Sequence, residues 1–462
     1  MYIGYVLINL VNSCSGKASL MRKPVLFVLL LCAALVSTTF ARPQYSTLFG
    51  QSCFLCHASP TGNGMRELYG SQFFGPQYLP VKPISFATIE KIKPKLSESV
   101  TIGADLRTIW LATNVVQPDT LQDGTVYYPE AGLSDQFSTN TGTNAQMEGN
   151  LYIQFRPTEQ FMLYLSRGVA DASGRMEAYG MANLKGFKAW VKGGQFQENY
   201  GFRFADHTSY VRTGLLSGYD GGPISSPTPP GYGVGMEVGT RMLSFDLSGS
   251  FTSAQSNTPM DRDQQKRWIM RAYGQHRIPF AQKWVVSAGG SWFHAPGKAA
   301  DPEIGFPGEA TRAVSWGGFG GIAFEGIHDK MGSGHGASNF GWLATSLLFE
   351  YDRKDWITPF LWTFQQNLSP FAVTSAYATG QLEVMAYQGV WVRAAYDWMD
   401  NAETSSIGGE AERTSLGVAS YVLPWVEVSV MHRLYSASPV PGSTTEQSRN
   451  KKQIEAQLHV FF

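Results

Sequence analysis

Ile454, Ala456, Leu458, Val460 and Phe462 alternate with Gln453, Glu455, Gln457, His459 and Phe461. An apolar face set against a mostly polar one at every second residue suits a strand with lipid on one side and a polar interior on the other. From about Ser97 onward the chain is made of such segments, and no stretch is long and apolar enough to read as a membrane helix. This pattern restricts the chain to an all-β transmembrane barrel, because a sheet in lipid must close to satisfy its edges.

Strands are expected at 98–113, 144–155, 161–168, 175–183, 186–196, 232–240, 242–252, 266–277, 283–294, 313–325, 340–351, 376–387, 389–400, 412–421, 424–435 and 452–462, sixteen antiparallel strands over residues 97–462. The segment 356–366 has the same pattern, but single-chain bacterial barrels use even strand numbers, so it is assigned to an extended outer loop. Long connections (114–143, 197–231, 253–265, 295–312, 352–375, 401–411 and 436–451) then fall outside the cell, and corners such as Arg156-Pro157-Thr158, Ile278-Pro279-Phe280 and Leu423-Pro424 face the periplasm. Gly326 to Asn339, with His328 and His335, breaks this alternation, and a slip in the strand count is the expected reason. The terminal Phe462 is typical of bacterial outer-membrane barrels. Abundant Gly (49), Tyr (21), Trp (12) and Phe (28) fit closed sheets with aromatic belts. Equal numbers of basic and acidic residues (36 each) leave no electrostatic case for a nucleic-acid partner.

The N-terminus reads as an export signal over residues 1–41: Met21-Arg22-Lys23, an apolar run from Val25 to Val36, and small residues before cleavage after Ala41. Met21 is the expected true start. Cys14 and Cys32 leave with the signal, so Cys53 and Cys56 are the cysteines that remain.

Those two lie in Cys53-Phe54-Leu55-Cys56-His57, the C-x-x-C-H pattern of c-type haem attachment. Two thiols so spaced match the two vinyl groups of one porphyrin, and the adjacent imidazole reaches the iron as proximal ligand. A thioredoxin-like dithiol lacks the surrounding βαβ pattern, and half a zinc site lacks further cysteines. One covalent haem c is therefore the expected cofactor. Met65 is a candidate sixth ligand on a helix expected from about Gly64 to Phe74, where Met65, Leu68, Tyr69 and Phe73 also read as a packing stripe. His207, His328 and His335 are other candidates, and an open iron site is a further possibility. Residues 42–96 are few for an independent core, so this α-helical haem segment is expected to borrow a wall from the barrel as a plug in or against its periplasmic mouth.

The order of signal, C-x-x-C-H and barrel resembles the fused outer-membrane monohaem cytochrome-porins, the group that includes barrel-cytochrome iron oxidases. Two stretches carry the local resemblance. One runs from Arg42-Pro43-Gln44-Tyr45 into Ser52 to Gly64; the other runs from Gly193-Gly194-Gln195-Phe196 through Gly201-Phe202-Arg203 to Asp206-His207-Thr208-Ser209-Tyr210-Val211-Arg212, opening the third external loop. The resemblance implies one haem in a barrel that passes electrons across the outer membrane, and it transfers to Cys53, Cys56 and His57. The residues flanking the motif differ from those of the iron oxidases, which leaves the electron donor open.

The expected function is a conduit between an extracellular donor or acceptor, metal ions such as Fe(II) included, and periplasmic cytochromes or other carriers. The alternative is a porin or nutrient channel with a structural or sensory haem plug, in which Arg203, Asp206, His207 and Arg212 tune a constriction by charge. A haem enzyme acting on a small molecule such as peroxide is a third class. No Ser-His-Asp, P-loop or paired-carboxylate arrangement sits in a supporting context, so the chain reads as an electron-transfer protein rather than a turnover enzyme.

Overall fold

The computed structural model describes residues 45, 48, 53–62, 64–81, 85–89, 91–92, 94–115, 119–120, 126–127, 142–169, 176–202, 211, 232–242, 245–253, 266–296, 312–327, 343–358, 371–402, 409–437 and 451–462. The expected signal segment lies outside these residues. Sixteen antiparallel strands close a barrel. They are β1 (Val100–Val115), β2 (Gly142–Phe155), β3 (Phe161–Gly168), β4 (Met176–Leu184), β5 (Ala189–Gln197), β6 (Tyr232–Met242), β7 (Phe245–Ser253) and β8 (Lys266–Arg277), then β9 (Trp284–Ala295), β10 (Arg312–Phe324), β11 (Thr345–Thr358), β12 (Phe371–Tyr387), β13 (Val390–Ala402), β14 (Gly409–Leu423), β15 (Val426–Ala437) and β16 (Lys451–Phe461). Each strand pairs with its sequence neighbour, and β16 returns to β1 with Asp105 opposite Phe461. A small ribbon, Asp119–Thr120 with Val126–Tyr127, lies in the first long connection.

The expected slip after β10 does not occur. Phe324 pairs with Thr345, so the long connection between β10 and β11 belongs to the short-turn end, and the count stays at sixteen. β11 starts at Thr345 rather than at 340, because Leu343 takes a left-handed φ of 59° and turns the chain into the sheet there. It continues to Thr358 and so takes in the first residues of the 356–366 segment that the parity argument placed in a loop.

Alternation along each strand sets the two faces. On β16, Ile454 (46 %) and Leu458 (43 %) are exposed outward, while Gln453, Glu455, His459 and Phe461 are buried inside. Outward residues at mid-strand, such as Ile153, Leu163, Met270, Leu347 and Val430, form an apolar band. Phe155, Phe161 and Trp284 lie outward near the short turns, and Trp268, Trp292 and Trp316 lie outward toward the long loops, the two aromatic girdles of a bilayer-spanning sheet. Rings opposite one another in register pack together, as Phe251 with Trp268 at 4.4 Å and Trp284 with Phe324 at 4.9 Å. No described helix is long and apolar enough to cross a membrane.

The inward faces carry charge, and register pairs it. Lys192 opposes Glu237 (2.8 Å), Arg393 opposes Glu383 (2.8 Å) and Arg413 opposes Asp397 (2.6 Å). Arg393 also reaches Glu427 at 2.8 Å, and His459 Nε2 lies 3.0 Å from Asp105. These side chains are shut away from solvent: Lys192, Glu237, Asp397 and Arg413 are each at most 1 % exposed. Charged groups removed from water need this pairing, since an isolated one is strongly destabilising.

Several of the described residues between Tyr45 and Leu79 pack on the inner wall at the short-turn end. Tyr45 Oη donates to Tyr421 Oη at 2.8 Å, and Arg156 holds Glu67 at 2.6 Å with Gln154 Nε2 donating to the same carboxylate oxygen at 3.0 Å. Trp425 Nε1 donates to the Ser71 carbonyl at 2.8 Å, and Arg66 lies 3.5 Å over the Phe461 ring. The turn glycine Gly389, at a φ of 74°, is tied to this docking: a Cβ there would fall 1.9 Å from the Leu79 carbonyl oxygen. An apolar cluster backs these contacts, with Leu48, Phe74 and Leu79 against Trp391, Tyr421 and Phe461.

The helix expected at Gly64–Phe74 is displaced. Gly64 has a φ of 64°, Arg66 pairs with His57 as a strand bridge, and the helix occupies Tyr69–Tyr78. The supposed stripe is divided as a result: Met65 is 1 % exposed, whereas Leu68 and Phe73 are 36 % and 37 % exposed.

Candidate functional site

Residues 53–57 form one tight helical turn. The Cys56 amide donates to the Cys53 carbonyl at 3.1 Å and the His57 amide donates to the same oxygen at 2.8 Å. A hairpin follows. The Ala58 amide donates to the Met65 carbonyl at 3.1 Å and the Glu67 amide to the Cys56 carbonyl at 2.9 Å, on either side of the His57–Arg66 bridge. Two thiols and an imidazole are thus carried on one turn, and the backbone on both sides of the hairpin is bonded.

The cysteines form no disulfide. Burial, with Cys53 beside it, pushes the Cys56 thiol up to about 12. A dithiol redox enzyme needs the opposite, a thiol whose pKa is lowered so that the thiolate attacks. Two thiols and an adjacent imidazole on one turn are the donor set a haem c would use.

Cys53 lies deep in the barrel. It belongs to one buried apolar cluster with Phe202, Val211, Tyr273, Phe319, Leu348, Tyr377 and Met399, contributed by β8, β10, β11, β12, β13 and the connection after β5. Three of these are rings, Phe202, Tyr273 and Phe319, in mutual contact at 4.8–5.7 Å.

Met65 lies in a different cluster, with Ala58, Tyr152, Met162, Tyr164 and Tyr179. Its amide donates to Tyr164 Oη at 3.2 Å, and its Cγ would lie 3.3 Å from a Cβ placed on Gly103. The side chain is packed against the wall. Met65→Ala is therefore expected to leave the visible spectrum of the haem-loaded protein unchanged; a shifted or high-spin spectrum in that variant would put the sulfur on the iron.

The described start of the connection after β5, Asn199 to Phe202, lies against the inner wall. Asn199 Nδ2 donates to Ser248 Oγ at 2.8 Å, the Gly201 amide to Ser291 Oγ at 2.9 Å, and the Phe202 amide to Glu350 Oε2 at 2.9 Å. Tyr200 Oη donates to Asp352 Oδ1 at 3.1 Å, and Arg271 Nε donates to the Gly201 carbonyl at 3.0 Å. Gly201, at a φ of 60°, leaves space that a Cβ would lose, 1.9 Å from Glu350 Oε1. Arg203, Asp206, His207 and Arg212 lie outside the described residues, as do His328 and His335.

Sequence reasoning missed the wall groups that receive this connection, Arg271, Glu350 and Asp352. Alternation marks each as inward, but only the strand register brings them together.

Comparison with protein-family models and with curated proteins finds no match. Among solved structures the chain is similar to Pseudomonas putida OprB in its high-pH form, with a TM-score of 0.50 at 10 % identity over 84 % of this chain and 100 % of that one. It is also similar to a loop-deletion mutant of OmpT from Vibrio cholerae (TM-score 0.46, 11 % identity, 79 % of this chain and 99 % of that one). The outer-membrane channel DcaP of Acinetobacter baumannii gives a TM-score of 0.45 at 8 % identity over 80 % of this chain and 100 % of that one. The fold is a porin-like barrel. A closed sheet of this size with an apolar outer band fits a bacterial outer membrane, with lipid around it.

Proposed function

We propose that this chain is a porin-like outer-membrane barrel closed by its own N-terminal segment as a plug, and that the plug carries one haem c through which electrons cross the membrane. The observation that carries the reading is the position of Cys53, buried in the lumen among residues of six wall strands while the wall charges around the barrel are shut off from solvent. In an open water-filled channel the inward charges would be wet.

The residues divide the work. Cys53 and Cys56 would hold the haem through thioethers, each thiol adding as S–H across one vinyl double bond with no oxidant needed. His57 supplies the imidazole for the iron. Bound there, the haem supplies a one-electron Fe(II)/Fe(III) couple. The paired charges and the packed plug exclude water and ions, and the apolar outer band isolates the site from lipid. Periplasmic carriers and an extracellular donor or acceptor are the partners this arrangement calls for, with Fe(II) one candidate donor.

The porin-like fold favours a second reading, a solute channel in which the haem plug is structural or sensory. Reconstitution in liposomes separates the two. The conduit reading expects electrons to pass from an external impermeant reductant to an enclosed oxidant at negligible ion conductance; ion flow through a barrel whose haem exchanges no electrons would overturn it in favour of the channel.

A further inference from the structure

We propose that Arg156 and Arg241 are positioning residues, which fix the Cys53–His57 turn against the barrel wall by gripping Phe54, the first residue between the two cysteines; this rests on the plug and haem reading above.

The two residues between the cysteines take no part in thioether formation, so their types answer to something else. Leu55 is 38 % exposed, whereas Phe54 is half-buried and packs on the cluster of Met65, Tyr164 and Tyr179. Two guanidinium groups lie over its ring. The central carbon of Arg156 is 5.8 Å from the ring centre and that of Arg241 is 5.3 Å from it. A planar guanidinium is attracted to an aromatic face, and more strongly as water is removed from the contact.

Both arginines belong to the wall. Arg156 follows β2, and its amide donates to the Ser99 carbonyl at 2.7 Å. Arg241 lies on β6 opposite Asp246 of β7, whose carboxylate is 3.3 Å away. Each also holds the plug at a second point: Arg156 pairs with Glu67 at 2.6 Å, and Arg241 Nη2 donates to the Pro60 carbonyl at 3.3 Å. Phe54, Pro60 and Glu67 stand on both sides of His57 in the chain, so the imidazole is carried on a segment tied down before and after it. Glu67 and Asp246 already answer the two positive charges. The ring contact therefore adds position rather than neutralisation.

The test changes the ring and leaves both arginines and their carboxylates in place. Phe54→Leu keeps an apolar side chain, and Phe54→Tyr keeps an aromatic face. In liposomes holding the full mature protein, Phe54→Leu is expected to raise ion leakage about tenfold over wild type, because the plug leaves its seat more often. At equal haem content its Fe(II)/Fe(III) ratio at fixed potential should fall about threefold, since a loosened turn admits water, which favours the more charged iron. Phe54→Tyr should match wild type in both measurements. Should Phe54→Leu fail to close its barrel, as electrophoretic heat-modifiability reports, the pair Arg241→Leu with Asp246→Leu removes one guanidinium without stranding a carboxylate and carries the same two expectations. A closed, haem-loaded Phe54→Leu protein with wild-type leakage and potential overturns the positioning role alone. Wild-type protein that conducts freely or lacks haem overturns the plug and haem reading, and the positioning role with it.

Discussion

Replacing Cys53 and Cys56 together by alanine is expected to give a barrel that closes normally and carries no covalent haem, with loss of transmembrane electron transfer. The turn is held by backbone amides on the Cys53 carbonyl, and the hairpin after it by backbone bonds on either side of the His57–Arg66 bridge. Exchanging one buried sulfur for hydrogen in the Cys53 cluster removes little apolar volume. His57→Ala separates attachment from ligation. Both thioethers still form, so the haem stays on the polypeptide through denaturing electrophoresis, but the spectrum changes because the proximal imidazole is gone. If the double cysteine variant keeps its haem through denaturation, the attachment residues are elsewhere.

Arg413→Ala is expected to destabilise the barrel by about 3–5 kcal/mol, the usual cost of removing one partner of a fully buried ion pair. Arg413 and Asp397 are both 0 % exposed; the guanidinium reaches one carboxylate oxygen from Nε at 2.9 Å and from Nη2 at 2.6 Å, and Thr379 donates to the other at 2.7 Å. Loss of the guanidinium leaves a carboxylate buried without its cation. The double variant Arg413→Leu with Asp397→Leu removes both charges and is expected to recover most of the loss. Urea unfolding followed by loss of heat-modifiability measures both. Equal midpoints for wild type and Arg413→Ala would mean that water reaches this part of the lumen, and the sealed barrel would be wrong with it.

Most of the barrel was legible in the chain because lipid and lumen demand opposite surfaces at alternate residues. Segments such as 161–168 and 266–277 were bounded to the residue, and each has a proline corner beside it, at Pro157 and Pro279. Where the pattern fades, reading failed in a specific way. Leu343 and Ala344 look like strand residues, yet one positive φ at Leu343 delays β11 to Thr345. Met65 to Phe73 has helical spacing, but a left-handed Gly64 and the His57–Arg66 bridge claim its first residues for a hairpin.

The motif proposed for attachment was readable from five consecutive residues because its spacing is local. Its surroundings were not, because they come from strands far apart in sequence. Tyr273, Phe319 and Tyr377 meet Cys53 only through closure of the ring. Periodicity says which way a residue points, and register says whom it meets.

The central claim is one porphyrin bound through two thioethers inside a membrane barrel. Intact-mass spectrometry of the mature protein, expressed with a working haem-maturation system and measured beside its visible spectrum, tests it most directly. The expected result is a polypeptide heavier by one haem with a Soret band that sharpens on reduction; a mass equal to the amino acids alone and no Soret absorption would contradict it.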